Sequence, residues 1–252
     1  MDFLKTSGTI EPTDISEVGI TDGLVGWWPL NGNANDITVN GNDGTVSGAT
    51  VSSGLDQLCY SFDGVDDYIN LGSSSVFNFG SNDFSISCWL KTSVTGKRRC
   101  LVDKSRLDSS TGGYSLEVST GNVIAVEYFD GTTPSPSLVG TKLITDNVWH
   151  HVVLVWVAAN ILNRNIYIDG EVDSISRNVD NTGIDSSNPL QIAATTISST
   201  YNFGGSIQDV RIYNRALSAE EVKIQYELTK NRVMNIDSTG KLYTAGKIIE
   251  TY

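Results

Sequence analysis

Catalysis needs groups that converge, so the residues able to do chemistry are weighed first. The 252-residue chain has only two histidines, His150 and His151, and they are adjacent. Neighbouring residues on a strand point to opposite faces, so the two rings do not serve one reacting centre. Beside Trp149 at a strand start they read as core or sheet-edge groups rather than as a general base. Retaining hydrolysis of a glycoside needs two carboxyl groups roughly 5 Å apart. The nearest candidates, Glu117 and Glu127, fall on different strands without a shared spacing. No Gly-x-Ser-x-Gly elbow, phosphate-binding loop or Cys-x-x-Cys pair occurs. The sequence therefore predicts a protein that is not an enzyme.

Oxygen donors and aromatic rings are what the chain offers instead. Asp63-Gly64-Val65-Asp66-Asp67 has metal-like acid spacing, although Asp-Gly is also a tight-turn signal. Two loops, Asn31–Asp36 and Asn40–Gly44, are dense in side-chain oxygens. Formal net charge is −12, with an isoelectric point near 4.5. Acidic side chains suit calcium, a hard cation with oxygen ligands. The same balance argues against nucleic acid and anionic membranes, which require clustered Lys and Arg. Lys97-Arg98-Arg99 is the one basic cluster, and it reads as the decoration of a hairpin tip. Tyr128, Phe129 and Tyr201 each lie beside a Gly- or Asn-rich loop. They are candidates to stack on sugar rings, with plain packing as the competing role.

These residues must be positioned by strands. Apolar content is 39%, and 24 glycines against 5 prolines indicate many tight turns. Phe84, Ile86, Cys88 and Leu90 alternate with Ser85, Ser87 and Trp89, which predicts a half-buried strand. Its expected return partner is Arg99–Lys104. That hairpin sets Cys88 opposite Cys100, either as a cross-strand disulfide or as two buried thiols; Cys59 reads as core. Tyr114–Val118 and Val123–Tyr128 flank Ser119–Asn122, and Ile166–Asp169 faces Glu171–Ser174 across Asp169-Gly170, two more hairpins. Trp149–Ala158 is nearly all apolar and reads as buried on both faces. Gly23–Leu30, Thr45–Val51, Leu55–Phe62, Tyr68–Leu71 and Leu190–Ala194 complete the strands, while Asp130–Gly140 reads as a long surface loop. About a dozen short strands at this spacing predict an all-β, two-sheet antiparallel sandwich.

One stretch organises the rest: Gly204–Val222. Ile207, Val210 and Ile212 are apolar among polar Gln208, Asp209, Arg211 and Asn214, which predicts a strand with one dry and one wet face. Ser218, three residues before Glu221, then has the spacing of a capping box at a helix start. Residues 1–22 read as an arm, either disordered or strapped to a neighbouring subunit, and 23–230 as the sandwich. Residues 231–252 read as a small C-terminal β extension. No run is long enough to span a membrane. Met-Asp-Phe-Leu-Lys-Thr lacks the basic start and apolar stretch of a secretory signal.

"GSIQDVRIYNRALSAEEV", with "FDGVDDYINLG", "FSISCWLKTS", "WHHVVLVW" and "IYIDGEV" in that family order, resembles the laminin-G-like, concanavalin-A-like jelly-roll domains. "GLVGWWPLNGNANDITVNGNDGTVSGA" resembles their opening segment. The resemblance implies a lectin-like jelly roll with a structural Ca2+ near the opening loop and the closing strand. Carried over by position, Asp36 and Asp209 would be carboxylate ligands, with Asn35 or Asn42 and backbone carbonyls completing the shell. The competing roles are an Asx-turn for Asp36 and a salt bridge from Asp209 to Arg211 or Arg215. "MNIDSTGKLYTAGKIIE" (234–250) resembles the small β segments of phage tail-fibre and appendage proteins, which intertwine as trimers or dock on a neighbour. Three functions follow as expectations. The first is a non-enzymatic virion fibre or decoration subunit, meeting glycans or a host surface and partnered by virion subunits or by itself as a homo-trimer. The second is a carbohydrate-binding module of a secreted bacterial protein, at the cell surface or outside it. The third is a jelly-roll glycan hydrolase or lyase.

Overall fold

The structure is a computed structural model that describes residues 20–104, 112–129, 135–158, 164–176, 184–196, 199–230, 234–236, 242–244 and 247–248. In chain order the strands are β1 (Leu24–Trp28), β2 (Thr45–Ser47), β3 (Thr50–Ser53), β4 (Leu58–Asp63), β5 (Tyr68–Asn70), β6 (Phe84–Lys91), β7 (Arg99–Asp103), β8 (Gly113–Val118), β9 (Ile124–Phe129) and β10 (Ser135–Gly140). There follow β11 (His150–Trp156), β12 (Asn165–Ile168), β13 (Glu171–Val172), β14 (Ser174–Ser176), β15 (Gln191–Ile192), β16 (Gly204–Tyr213) and helix α1 (Ala219–Lys230). Three short strands end the chain: β17 (Met234–Ile236), β18 (Leu242–Thr244) and β19 (Lys247–Ile248).

Two antiparallel sheets face each other, as the sequence pattern predicts. The first runs β13-β12-β11-β6-β16-β4-β3, with β1 also on β16; the second runs β14-β10-β9-β8-β7-β15-β5-β2. Between them lies the main core, including Trp28, Phe84, Ile86, Leu116, Val126, Trp156 and Ile212. Burying this much apolar area is what stabilises a sandwich. Phe79 and Phe84 stack with centroids 4.6 Å apart, and Trp156 packs at 5.8 Å on Phe84.

β16 is the hub, and it has no wet face. Its first half, Gly204–Ile207, pairs with β4, and Val210–Tyr213 pairs with β1 on the same edge. A bulge separates the halves, where the register on β6 shifts between Gln208 and Arg211 and Asp209 takes φ 54°. The bulge lets Ile207 and Val210, three apart, both enter the main core. Gln208, Asp209 and Arg211 are buried as well. The sequence reading of this face as solvated is thereby corrected: the Leu55–Asp56 loop closes over Gln208, Trp27 over Asp209 and Arg211, and α1 over Tyr213. Val153, Val155, Tyr167, Tyr213, Leu217 and Val222 form a second core beneath the helix, with Ile20 packed against it.

Three further sequence assignments change. Thr45–Val51 is not one strand: β2 and β3 lie in different sheets, and the chain turns at Gly48, φ 73°. β6 and β7 are not a hairpin, because β6 sits in the first sheet and β7 in the second. Cys88 therefore faces Val152 and Cys100 faces Glu117, and all three cysteines are free and buried. Within the stretch read as a loop, Ser135–Gly140 is strand β10, paired to β9. The hairpins β8–β9 and β12–β13 form as expected, the latter through Asp169 (φ 56°) and Gly170 (φ 82°). Trp149–Ala158 contains β11, buried at every position.

Of residues 1–22, those up to 19 lie outside the described residues. Ile20–Asp22 is tied down: the Tyr213 hydroxyl donates to the Ile20 carbonyl at 3.1 Å, and Arg215 Nε donates to that of Asp22 at 2.8 Å. β17, β18 and β19 form a separate antiparallel sheet.

Candidate functional site

Alternation along the β8–β9 hairpin assembles a polar cluster on the face of the second sheet turned away from the core. Tyr114, Leu116 and Val118 of β8 enter the core, as do Ile124, Val126 and Tyr128 of β9. Ser115, Glu117, Ala125 and Glu127 take the opposite face. Ser115 is opposite Glu127 and Glu117 is opposite Ala125, so the two glutamates are diagonal neighbours. Arg98 lies between them, with Nε 2.6 Å from Glu117 Oε2 and a terminal nitrogen 2.5 Å from Glu127 Oε2. The Arg98 guanidinium lies 5.1 Å from the centroid of Tyr201, in a short 3-10 turn at Ser199–Tyr201. Cys100 and Ser115 flank Glu117, with Sγ and Oγ 3.7 Å apart, and Asp103 lies between Ser115 and Gln191.

The acids thus converge, contrary to the sequence reading of Glu117 and Glu127 as unrelated. Lys97-Arg98-Arg99 is likewise no hairpin tip, since Arg98 is clamped and Arg99 is buried. The missed signal is the register: the turn at Ser119–Asn122 fixes which residues of the hairpin are neighbours. Burial, then the Glu127 charge, push the Glu117 carboxyl up to about 8, against the pull of Arg98. Burial also raises Glu127, against Arg98. Burial works to lower Arg98, but Glu117 and Glu127 outweigh it and hold the guanidinium protonated. Glu117 itself is 2% exposed, so the groups the cluster turns to its surroundings are the partly exposed Arg98 guanidinium, Glu127 and the Tyr201 ring, with the raised Glu117 carboxyl behind them. Such a set matches hydroxyl groups, and two neighbouring carboxyls raised by burial are also the raw material of acid–base chemistry.

The other sequence candidates lie elsewhere. Tyr128 is 4% exposed, edge-on to Trp156 at 5.5 Å, so its ring lies in the core, in the packing role the sequence also allows. The Phe129 side chain lies outside the described residues. His151 is buried under α1 against Trp89 and Tyr226, and burial pushes it down to about 4. His150, buried at the start of β11, lies between Asp169 (2.8 Å) and Asp146 (3.2 Å), and its hydrogen bond to Asp169 raises its pKa. Asp63, Asp66 and Asp67 are, among the described residues, the one acid, His or Cys group whose ligand atoms all lie within 4.8 Å. Asp63 Oδ1 accepts the Val65 amide at 2.7 Å, so the segment is the tight turn that Asp-Gly signals.

Asp36 and Asp209 meet at Trp27, one at each end of it. Asp36 Oδ1 accepts the Trp27 and Thr38 amides at 3.0 and 2.9 Å. Its Oδ2 accepts the Asn42 amide at 2.9 Å and the Asn42 side chain at 3.3 Å. Asp209 accepts the Trp27 indole N–H at 2.6 Å and two Arg211 N–H groups at 3.0 and 2.9 Å. Asn35 is exposed, and its amide donates to Asn33 Oδ1 at 2.9 Å.

Residues 63–223 match the concanavalin A-like lectin/glucanases superfamily. The chain belongs to that superfamily. No curated protein sequence matches it. Among solved structures, the binding domain of Paraclostridial Mosquitocidal Protein 1 is 18% identical, with a TM-score of 0.69 over 88% of this chain and 63% of that one. Domain 4 of AbnA, a GH43 extracellular arabinanase from Geobacillus stearothermophilus solved in complex with arabinotriose, is 17% identical, with a TM-score of 0.63 over 81% and 98%. The botulinum neurotoxin serotype G binding domain is 19% identical, with a TM-score of 0.61 over 82% and 51%. The chain thus spans less than two thirds of the two toxin domains. At these identities the likeness is one of fold. A concanavalin-A-like, lectin-type sandwich is the fold class, and no described helix is long and apolar enough to cross a membrane.

For a superfamily member, the calcium that the resemblance implies is tested by the donors around Asp36 and Asp209. Calcium needs six to eight oxygens with free lone pairs aimed at one point. Here the carboxylate oxygens already accept N–H groups, and Arg211 puts a positive charge directly on Asp209. This donor set does not fit a cation, and the two competing roles, a turn-holding Asp36 and an Asp209–Arg211 salt bridge, are those the geometry displays.

Proposed function

We propose that this protein is a non-enzymatic recognition module, a subunit of a virion fibre or decoration appendage, that presents its sandwich to a glycan or another host-surface receptor. One observation carries the glycan reading: Arg98, held by Glu117 and Glu127, lies against Tyr201 on the outer face of the second sheet. An aromatic ring beside fixed charged hydrogen-bonding groups is the usual equipment of a sugar site. A fold shared with toxin binding domains, and with an arabinanase domain solved with arabinotriose, supports the same reading. The appendage placement is supported by β17–β19, whose two- and three-residue strands need a neighbour to pack on; secretion as a bacterial carbohydrate-binding module is the alternative. A glycan array tests the proposal. Binding is expected from the intact chain and is reduced in Tyr201→Ala and Arg98→Met; an array without a ligand, or one indifferent to both variants, sinks it.

A second reading, glycan hydrolysis, is favoured by two carboxyls, Glu117 and Glu127, brought together on Arg98, the former pushed up to about 8 by burial. Release of reducing sugar from a polysaccharide panel, abolished in Glu117→Gln, would decide for it.

A further inference from the structure

The resemblance implies an ion between the loop after β1 and the closing strand β16, and the donor set there does not fit one. We propose that Arg211 stands in place of that ion as a built-in cation, and that the Asp36–Trp27–Asp209 rim is closed without metal. A carboxylate has about four lone-pair positions. All four of Asp36 are matched by N–H donors from Trp27, Thr38 and Asn42. At Asp209 the donors are the Trp27 indole and a two-pronged Arg211 guanidinium. Arg211 is 2% exposed and Asp209 3%, so neither charge is screened by water. A divalent ion placed on Asp209 would sit against a buried positive charge and strip three hydrogen bonds.

The local backbone explains how the exchange is built. At the bulge Asp209 takes φ 54° and its amide bonds the Pro29 carbonyl at 3.1 Å, which sets the acid against the loop after β1. The Arg211 guanidinium lies 4.1 Å from the Trp27 ring centroid. Trp27 then donates from its indole to Asp209 and from its backbone to Asp36. One tryptophan and one arginine tie the two acids together, the task a bridging ion would perform. Burial works to lower Arg211, but Asp209 outweighs it and keeps the group charged.

The test is thermal melting of the full chain in chelator and in millimolar calcium, with terbium as a second probe. Coincident melting curves are expected for the wild type. Arg211→Gln is expected to melt lower in chelator, to recover several degrees on calcium addition, and to gain terbium emission sensitised by Trp27. The proposal is overturned by a wild-type melting temperature that falls in chelator and loses that dependence in Asp36→Asn or Asp209→Asn. It is equally overturned by a folded Arg211→Gln protein that gains neither response. A wild-type calcium response that survives Asp209→Asn but disappears in Asp66→Asn counts for it, since the ion then bypasses the rim. If Arg211→Gln does not fold, the wild-type and Asp36→Asn curves decide alone.

Discussion

Burial, and after it the charge of Glu127, push the Glu117 carboxyl up to about 8, more than the single Arg98 between the two acids offsets. The consequence for stability has a definite sign. A folded state that keeps the Glu117 proton binds one more proton than the unfolded chain between about pH 4.5 and 8. Stability from this group is therefore full below pH 4.5, declines as pH rises, and is spent above 8. The slope is at most about 1.4 kcal/mol per pH unit. His151, buried and held down to about 4, gives the opposite slope between its ordinary 6.5 and 4. The clean readout is thus a difference: unfolding free energy of wild type minus Glu117→Gln, measured against pH, should fall across the window. A flat difference would show that Glu117 is ionised throughout. Asp169 titrates lower: burial raises it, but hydrogen bonds from His150 and Lys142 prevail and hold it down to about 2. Its contribution is present above the ordinary 3.8 and lost as pH falls toward 2. Asp169→Asn should accordingly cost stability at neutral pH and flatten the acid limb below pH 4.

The elements add constraints that no single residue shows. Ser218 and Glu221 close the capping box of α1, the Glu221 amide donating to Ser218 Oγ at 3.2 Å and the Ser218 amide to Glu221 Oε2 at 2.8 Å. Ser218→Ala should cost about 1 kcal/mol in denaturant unfolding, and more if undocking α1 also exposes Val222 and Leu217. A stricter case is Gly205, at φ 143°, where an added Cβ would come within 2.4 Å of the Lys91 carbonyl oxygen. Backbone cannot yield as a side-chain tip does, so Gly205→Ala should lose about 1–3 kcal/mol; an unchanged midpoint would mean the β16–β6 ladder is looser than drawn. The same elements show what was legible in the sequence. Strand period, hairpin turns and the capping box are local, and they gave β6, β11, the β8–β9 and β12–β13 hairpins and the start of α1 correctly. Partner choice between strands is not local, which is why β6 and β7, adjacent in sequence, were mispaired across two sheets. Nor was the second buried face of β16 legible, because it depends on distant segments: the Leu55–Asp56 loop on Gln208, Trp27 on Arg211 and α1 on Tyr213. The break in alternation from Ile207 to Val210 was the available clue to the bulge.

At the scale of the molecule, the sandwich closes its own core while β17–β19 share no strand pairing with either sheet. A three-stranded sheet of such short strands has little apolar surface to bury and is marginal by itself in water. Its order must come from packing on something larger, either the sandwich or another copy of the chain. These alternatives differ in mass. If the extension assembles copies, the full chain should run as an oligomer in light scattering, while a chain ending at Lys230 should run as a monomer with the same melting temperature. If the extension docks on its own sandwich, both chains should be monomers and the shortened one should melt lower. The appendage reading requires the first pattern, because a fibre or decoration subunit must be held by its neighbours at a point that leaves the Arg98–Tyr201 face free. A monomeric full chain whose glycan binding survives removal of residues 231–252 would instead move the protein to the secreted-module alternative.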